Sequence, residues 1–123
     1  MATSMFAPCP ASPNCVSNDA QDSRHRIAPF VLMSSHNNIW PEIRAAVLTL
    51  PRTRVIVDEE NYLHAECRSA VLGFADDLEI QFRPKEGLIA VRSASRKGYY
   101  DFGVNRRRAE TLRGLLQNRG LIQ

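Results

Sequence analysis

The sequence predicts an α+β domain of two layers, in which an antiparallel sheet of about five strands carries two helices on one face. Two amphipathic helical patterns flank a run of four strand patterns, and one extended segment precedes the first helix. The links between the four strands are short, which favours an antiparallel meander. Two helices can cover only one face of such a sheet, so the other face is expected to stay open.

The beginning of the chain has the weakest pattern. Residues 1–24 are rich in Pro, Ser, Asn and Asp and show no period, which predicts an irregular lead-in before a single domain at 25–123. Residues 25–33 form a short extended segment. Pro29 within it favours an edge position in the sheet, because proline cannot donate a hydrogen bond to a neighbouring strand.

The segment from Asn38 to Pro51 is the clearest amphipathic helix. Asn38 is a suitable N-cap, Pro41 is tolerated in the first turn, and Pro51 ends the helix. The residues that share its apolar face are Ile39, Trp40, Ile43, Ala46, Val47 and Leu50.

Four strands follow, at about 54–58, 62–71, 77–83 and 88–95. Gly73 and Phe74 predict a two-residue type II′ turn between the second and third of them, which would place Val71 opposite Asp76. In the resulting registers the apolar residues share one face, and a shift by one residue would scatter them. These residues are Ala65, Cys67, Leu78, Ile80, Phe82, Ile89 and Val91.

The opposite, helix-free face of the sheet carries the charges. The turn at 73–74 would place Arg68 beside Glu79, and a turn at 84–87 would place Arg92 on the other side of Glu79. We therefore predict a three-strand ladder of alternating charge, in which each cross-strand pair contributes about 0.2–1 kcal/mol. A solvated face held together by such pairs is one interpretation, and a ligand surface is the other.

The last helix contains an unfavourable feature at its start. We expect Asn105 to be its N-cap and Gly120 to lie at its C-terminal end. Arg106, Arg107 and Arg108 fill the first turn, where the helix dipole disfavours each cation by about 0.3–1 kcal/mol. Successive helical residues point about 100° apart, so at most one or two of the three face inward.

A carboxylate partner would offset this dipole cost. The nearest internal carboxylates are Asp101, Asp76, Asp77 and Glu79. If Arg108 faces inward, we expect it to pair either with Asp101 or with the Asp76–Asp77 turn. Asp76 and Asp77 themselves should point to opposite faces of their strand. The whole element order also occurs in helix-grip and TATA-binding-protein-like folds, but shared architecture implies no function.

Charge is distributed unevenly along the chain. Residues 1–82 carry 6 basic and 10 acidic side chains, a net charge of −4, whereas residues 83–123 carry 10 basic and 3 acidic ones, a net charge of +7. The C-terminal third is therefore either an anion-binding surface or the basic half of an internal ion-pair network. No apolar run approaches the length of a membrane span.

Cys9 and Cys15 flank a turn-forming Pro-Ala-Ser-Pro-Asn segment that could bring their thiols together. Free thiols are the alternative, because a disulfide persists only in an oxidising compartment. We expect Cys67 to be a buried thiol. The sequence as given shows no signal-peptide pattern, from which we would expect a cytoplasmic protein, and an exported mature form is the alternative.

Three segments of the chain resemble known motifs: Cys-Pro-Ala-Ser-Pro-Asn-Cys-Val-Ser at 9–17, Gly-Phe-Ala-Asp-Asp-Leu-Glu at 73–79, and the closing segment at 92–108. They are similar to the bacterial and chloroplast family known as domain of unknown function 1499. The resemblance covers nearly the whole chain and implies no activity. The closing-segment residues that match are Arg92, Ser93, Ser95, Arg96, Gly98, Asp101, Gly103, Asn105 and Arg108.

The sequence favours a non-enzymatic binding or interaction module with a basic anion-binding site around the closing segment. An anionic small molecule or an acidic protein surface is the expected partner, and the alternative is an enzyme that acts on an anionic small molecule in the same pocket. The residues expected at this site are Arg68, Glu79, Arg92, Arg96, Asp101, Asn105, Arg106, Arg107 and Arg108.

Other chemistry has weaker support. Ser93 and Ser95 have no histidine at a suggestive spacing, so a nucleophilic site is not indicated. His64, Glu66 and Asp77 could hold a metal, but a solvated strand face explains them as well, and we expect no metal and no cofactor. Nucleic acid binding is a lesser alternative that would use the aromatic residues Tyr99, Tyr100 and Phe102 of the basic third.

Overall fold

A computed structural model describes residues 5–33, 38–70 and 72–123 of the chain. It has two short strands, a helix, four longer strands and a second helix, which confirms the predicted α+β class. The strands are β1 (Cys15–Ser17), β2 (Phe30–Val31), β3 (Thr53–Glu59), β4 (Tyr62–Arg68), β5 (Ala75–Arg83) and β6 (Leu88–Ser95). The helices are α1 (Ile39–Val47) and α2 (Val104–Asn118).

The six strands form one antiparallel sheet in the order β1-β6-β5-β4-β3. β2 also pairs with β6, where Phe30 lies opposite Ile89, while β1 pairs further along, where Cys15 lies opposite Ala94. The predicted lead-in is therefore not irregular throughout, because β1 is part of the sheet. A three-residue strand is too short to show a period, and only its pairing with β6 reveals it.

The two helices and the apolar face of the sheet enclose the hydrophobic core. Ile39 and Ile43 of α1 and Leu112 and Leu116 of α2 are almost completely buried. They pack with the inward side chains of the strands, which include nearly all of the predicted apolar face. In the described part of the chain, no helix has both the length and the apolar character that crossing a membrane requires.

The predicted register is correct in one hairpin and wrong in the other. In the β5–β6 hairpin, Glu79 lies opposite Arg92, as expected. In the β4–β5 hairpin the predicted register is wrong by four residues, because Glu79 lies opposite His64 and Arg68 lies opposite Ala75. A shift by an even number keeps every side chain on its face, so hydrophobic alternation could not detect the error.

The error arises from the connection between β4 and β5. The expected two-residue turn at Gly73 and Phe74 is replaced by a longer connection over 69–74, in which the Ser69 N–H donates to the Phe74 carbonyl at 2.9 Å. The expected pairing of Val71 with Asp76 lies outside the described residues. Asp76 is instead the register partner of Cys67.

The start of α2 also differs from the prediction. Asn105 is not the N-cap: α2 begins at Val104, after Gly103, which has a left-handed φ of 77°. Asp101 takes over the capping role, because its Oδ1 accepts a hydrogen bond from Gly103 N at 2.9 Å and its Oδ2 accepts one from Asn105 N at 3.1 Å. Asn38 occupies the N-cap position of α1, but its side chain makes no capping bond.

Candidate functional site

Asn105 is the centre of a polar cluster between α2 and β6. It is completely buried, and its Oδ1 accepts hydrogen bonds from Ser93 Oγ at 2.7 Å and Arg108 Nη1 at 2.9 Å. Its Nδ2 donates to Asp101 Oδ2 at 2.8 Å and to Ser95 Oγ at 2.9 Å. Both ends of this buried amide are therefore satisfied, which holds α2 in one position on the sheet.

Arg108 connects this cluster to β5. Its Nη2 lies 2.8 Å from Asp76 Oδ2, and the exposed fractions of the two side chains are only 12% and 6%. Asp76 faces the helices, as do Leu78 and Ile80 two and four residues later, so it meets α2 directly. The expectation that Arg108 faces inward and pairs at the Asp76–Asp77 position is confirmed.

Asn14, which precedes β1, adds the lead-in to this arrangement. Its carbonyl accepts hydrogen bonds from Ser95 N at 3.0 Å and Asn105 Nδ2 at 3.2 Å. Its Nδ2 donates to the Gly98 carbonyl at 2.8 Å. Seven residues thus form one buried network: Asn14, Asp76, Ser93, Ser95, Asp101, Asn105 and Arg108.

Asp101 is ionised in this environment. Burial alone would raise the pKa of its carboxyl group, but the hydrogen bonds from the N–H groups of Asn105 and Gly103 outweigh it and lower the pKa below its usual range. A carboxylate that accepts several N–H bonds at a helix start also interacts favourably with the helix dipole. The loop before α2 is therefore anchored by a charge.

The lead-in is fastened by two further features. Cys9 and Cys15 form a disulfide bond, and Cys67 is a buried free thiol whose pKa is raised by burial. The buried ring of His25 lies between Asp22 Oδ2, at 2.7 Å from Nδ1, and the carbonyl of Ser12, at 2.8 Å from Nε2. The sequence patterns did not indicate His25 as a structural residue.

A second set of charges occupies the helix-free face. Arg96 donates to Asp77 Oδ1 at 2.8 Å and to Glu66 Oε2 at 2.8 Å, and His64 Nε2 lies 2.6 Å from Asp77 Oδ1. The hydrogen bond from Arg96 lowers the pKa of Glu66. Burial would raise the pKa of Asp77, but the hydrogen bonds from Arg96 and His64 lower it overall.

Eight residues form this open-face network: Tyr62, His64, Glu66, Arg68, Asp77, Glu79, Arg92 and Arg96. Its carboxylates pair with its arginines, His64 and Tyr62, whereas the buried Nε of Arg92 has no hydrogen-bond partner among the described residues. Within the same residues no group of three or more His, Cys, Asp or Glu side chains could hold a metal ion. Asp76 and Asp77 belong to different networks, as their positions on opposite faces require.

The predicted ladder of Arg68, Glu79 and Arg92 is correct on one side only. Arg92 Nη1 lies 3.4 Å from Glu79 Oε2, but Arg68 bonds to Glu66 Oε1 at 3.1 Å. His64 occupies the position opposite Glu79 that was expected for Arg68, and the Tyr62 hydroxyl donates to Glu79 Oε1 at 2.5 Å. Burial and the negative charge of Glu79 raise the pKa of Tyr62. The four-residue register shift accounts for this change of partner.

The three arginines at the start of α2 have different roles. Of the three, Arg108 is the one that pairs with a carboxylate among the described residues. Arg106 donates to the carbonyls of Arg24 at 3.0 Å and Arg26 at 3.2 Å, and Arg107 donates to the Phe102 carbonyl at 2.8 Å. Arg106 and Arg107 therefore fasten neighbouring loops and do not converge on a common point.

A cleft opens above the buried network, between the connection at 69–74 and the loop at 96–103. Its volume is about 510 Å³. Asp76, Ser95 and Asp101 of the buried network contribute to its lining, and Lys97 and Gly98 lie on the loop side. The larger apolar side chains that line it are Leu72, Phe74, Tyr100, Phe102 and Val104.

The structure thus divides the expected site residues between several places. Asp101, Asn105 and Arg108 meet in the buried network. The open-face network contains Arg68, Glu79, Arg92 and Arg96, whereas Arg106 and Arg107 bind loop carbonyls. The prediction did not include Leu72, Phe74 or Lys97, because the two walls of the cleft are far apart in sequence and no local pattern brings them together.

The chain matches the family described as "Protein of unknown function (DUF1499)" over residues 5–116. It belongs to this family. No curated protein and no solved structure matches the chain. Most of the closing-segment residues that carry the resemblance have structural contacts: Ser93, Ser95, Asp101, Asn105 and Arg108 belong to the buried network. Of these, Ser95 and Asp101 also line the cleft.

Proposed function

We propose that the protein is a small non-enzymatic binding module whose ligand occupies the cleft above the buried network. The cleft itself is the observation that supports this function. Its volume of about 510 Å³ falls in the range of small-molecule sites, and such sites combine apolar walls with a few fixed polar groups. The buried network supplies those polar groups and holds them in place by hydrogen bonds.

The charges around the cleft favour an anionic ligand. The two carboxylates in the lining are already compensated: Asp76 pairs with Arg108, and Asp101 accepts three N–H bonds. Lys97 is exposed and lines the cleft, and no described carboxylate lies within ion-pair distance of it. Among the described residues that line the cleft, Lys97 is the only lysine or arginine.

Ser95 supplies a neutral donor beside Lys97. Its Oγ accepts the hydrogen bond from Asn105 Nδ2 at 2.9 Å, so its hydroxyl hydrogen remains for a partner in the cleft. An anionic oxygen near Lys97 would accept this hydrogen. The anion site is therefore proposed at Lys97 and Ser95, not at the arginines of α2.

A small molecule fits this surface better than nucleic acid does. Much of the basic charge of the C-terminal third is engaged with internal carboxylates, as the pairs of Arg83, Arg92, Arg96 and Arg108 show. Such pairing leaves few cations for a run of phosphates, which nucleic acid binding requires.

Fluorescence titration with the aromatic sulfonate 8-anilinonaphthalene-1-sulfonate tests the proposal. The chain has two lysines, both exposed, so Lys97→Gln has a matched control in Lys85→Gln on the β5–β6 turn. We expect saturable binding that Lys97→Gln weakens about threefold to fivefold and Lys85→Gln leaves unchanged, since an exposed ion pair contributes up to about 1 kcal/mol. Absence of saturable binding, or equal loss in both variants, would overturn the proposal.

A further inference from the structure

We infer that the ligand is an amphipathic anion, with an aliphatic or aromatic body held between the two walls of the cleft and an anionic group at Lys97. This inference rests on the proposed function, because it names the chemical class that the same cleft would bind. Three observations support it: the exposed apolar side chains of the walls, the left-handed backbone conformation of Phe102 and the position of the Lys97 charge in the cleft.

The walls of the cleft carry large apolar side chains that are mostly exposed to solvent. The exposed fractions are 68% for Leu72, 59% for Phe74, 62% for Tyr100 and 76% for Phe102. None of these side chains belongs to the hydrophobic core. They stand on two loops that face each other across one concave site, and grouped exposure of this kind marks a binding surface.

Phe102 has the least favourable position for an aromatic residue. Its φ of 55° lies in the left-handed region, which bulky side chains rarely adopt. Burial does not compensate for this conformation, because the ring is largely exposed. Backbone strain at an exposed residue that lines a cleft is typical of a ligand contact.

The surroundings of Phe102 hold the ring in place. Tyr100 meets it edge-on, with a centroid distance of 5.0 Å and an angle of 85° between the ring planes. The backbone is also fixed at this point, because Arg107 donates to the Phe102 carbonyl at 2.8 Å and Gly103 N donates to Asp101 Oδ1 at 2.9 Å. A wall that is fixed before the ligand arrives loses little conformational entropy on binding.

Charge and shape together define the occupant. The apolar walls suit a body without polar groups, while Lys97 and Ser95 suit one anionic group at its end. A cleft of about 510 Å³ encloses a small molecule on several sides, whereas a membrane surface would need the same side chains to project outward from a convex tip. We therefore commit to a monomeric amphipathic anion.

A series of straight-chain carboxylates tests this class. Acetate, hexanoate, octanoate and decanoate are titrated below the concentrations at which they aggregate, and the amide signals of the protein are followed by NMR. We expect perturbation at 69–75 and 95–104, with affinity rising about threefold to fourfold for each added CH₂ until the walls are covered. Octanol and octylammonium are the matched probes for the anionic group, and both should bind more weakly than octanoate.

Two cleft variants and one control locate the contact. Phe102→Gly and Leu72→Ala should weaken octanoate binding, the first by about tenfold or more, while the unfolding free energy stays equal or rises in Phe102→Gly. Leu48→Ala removes an exposed leucine of similar type outside the cleft and should bind normally. A purely structural role of Phe102 would instead lower stability and leave binding unchanged, and this result would overturn the inference.

The outcomes separate the two levels of the proposal. Binding of acetate as tight as that of octanoate, or of octylammonium as tight as that of octanoate, would overturn the amphipathic anion and leave the cleft as a binding site. Absence of binding of every probe would overturn the proposed function as well. Binding to phosphatidylglycerol vesicles without binding of monomeric octanoate would overturn both and favour a membrane-binding surface.

Discussion

Arginine–carboxylate pairs occur on both faces of the sheet, but the pairs differ in burial. On the helix-covered side, the side chains of Arg108 and Asp76 are only 12% and 6% exposed, and Arg108 Nη1 also donates to Ser93 Oγ and Asn105 Oδ1. On the open side, Arg96 keeps 38% of its side chain exposed and divides its bonds between Asp77 and Glu66. Burial thus decides whether an arginine–carboxylate pair holds the fold together or mainly organises the surface.

The comparison also explains where a ligand site can arise. The carboxylates of the open-face network pair with its own arginines, His64 and Tyr62, and none of its residues lines the cleft. The buried network also satisfies its charges, but it ends at a cleft where apolar walls rise on both sides. A fixed polar floor beneath an apolar cleft resembles a preorganised site, whereas a polar sheet face resembles ordinary solvated surface.

The largest effect should come from breaking the buried pair. Arg108→Ala leaves the carboxylate of Asp76 without its cation in a buried position, so we expect the unfolding free energy to fall by about 3–5 kcal/mol. Chemical denaturation of the purified variant measures this change. A loss below about 1 kcal/mol would contradict the view that this pair organises the helix-covered side.

Asp101 should have the next largest effect. Asp101→Ala removes the acceptor for Gly103 N and Asn105 N at the start of α2, and loss of such a cap costs about 0.5–2 kcal/mol. Asp101→Asn keeps an acceptor oxygen and should lose less stability than Asp101→Ala. Equal losses in the two variants would show that the charge, not the cap, provides the stabilisation.

Acid should weaken both networks in the same direction. The pKa values of Asp77 and Asp101 are lowered in the folded protein, so their contribution is complete above the unfolded pKa near 4. It is lost as the pH falls through the lower folded values. Denaturation curves between pH 7 and pH 2 should show decreasing stability below about pH 4, and a flatter decrease in Asp101→Asn. Constant stability across this range would contradict the prediction.

A smaller effect is expected on the open face. Arg96→Ala removes two ion pairs, but Asp77 keeps its bond to His64 and Glu66 keeps its bond to Arg68. We expect a loss of about 1 kcal/mol or less, because both carboxylates keep another partner. Added salt should reduce this loss, since the Arg96 side chain is 38% exposed and its charge is screened. A loss as large as that of Arg108→Ala would remove the distinction between the two faces.

The smallest effect should be at the exposed arginines of α2. Arg106→Ala removes bonds to two loop carbonyls but also relieves the unfavourable cation at the helix start. These contributions oppose each other, so the change in unfolding free energy should lie within about 0.5 kcal/mol. A loss above about 1 kcal/mol would show that Arg106 is needed to hold the 24–26 segment on α2.

The sequence predicted which residues lie on the open face but not all of their cross-strand partners. Alternation correctly assigned Asp77 and Glu79 to the helix-free side and Leu78 and Ile80 to the core. It could not choose between registers that differ by four residues, since both keep the same faces. The hydrogen bond from Ser69 N–H to the Phe74 carbonyl closes a connection longer than the expected two-residue turn. With this connection Arg68 lies opposite Ala75 and not opposite Glu79.

Hydrophobic periodicity and turn chemistry by themselves determined the α+β class, the two helices and the β5–β6 register. These features are local, because they depend on residues within one turn or one hairpin. The tertiary structure alone decided that Asn14, Ser93 and Asn105 share one hydrogen-bond network and that Leu72 faces Phe102 across a cleft. Both arrangements join segments distant in the chain, and their geometry depends on how the whole sheet and its loops pack together.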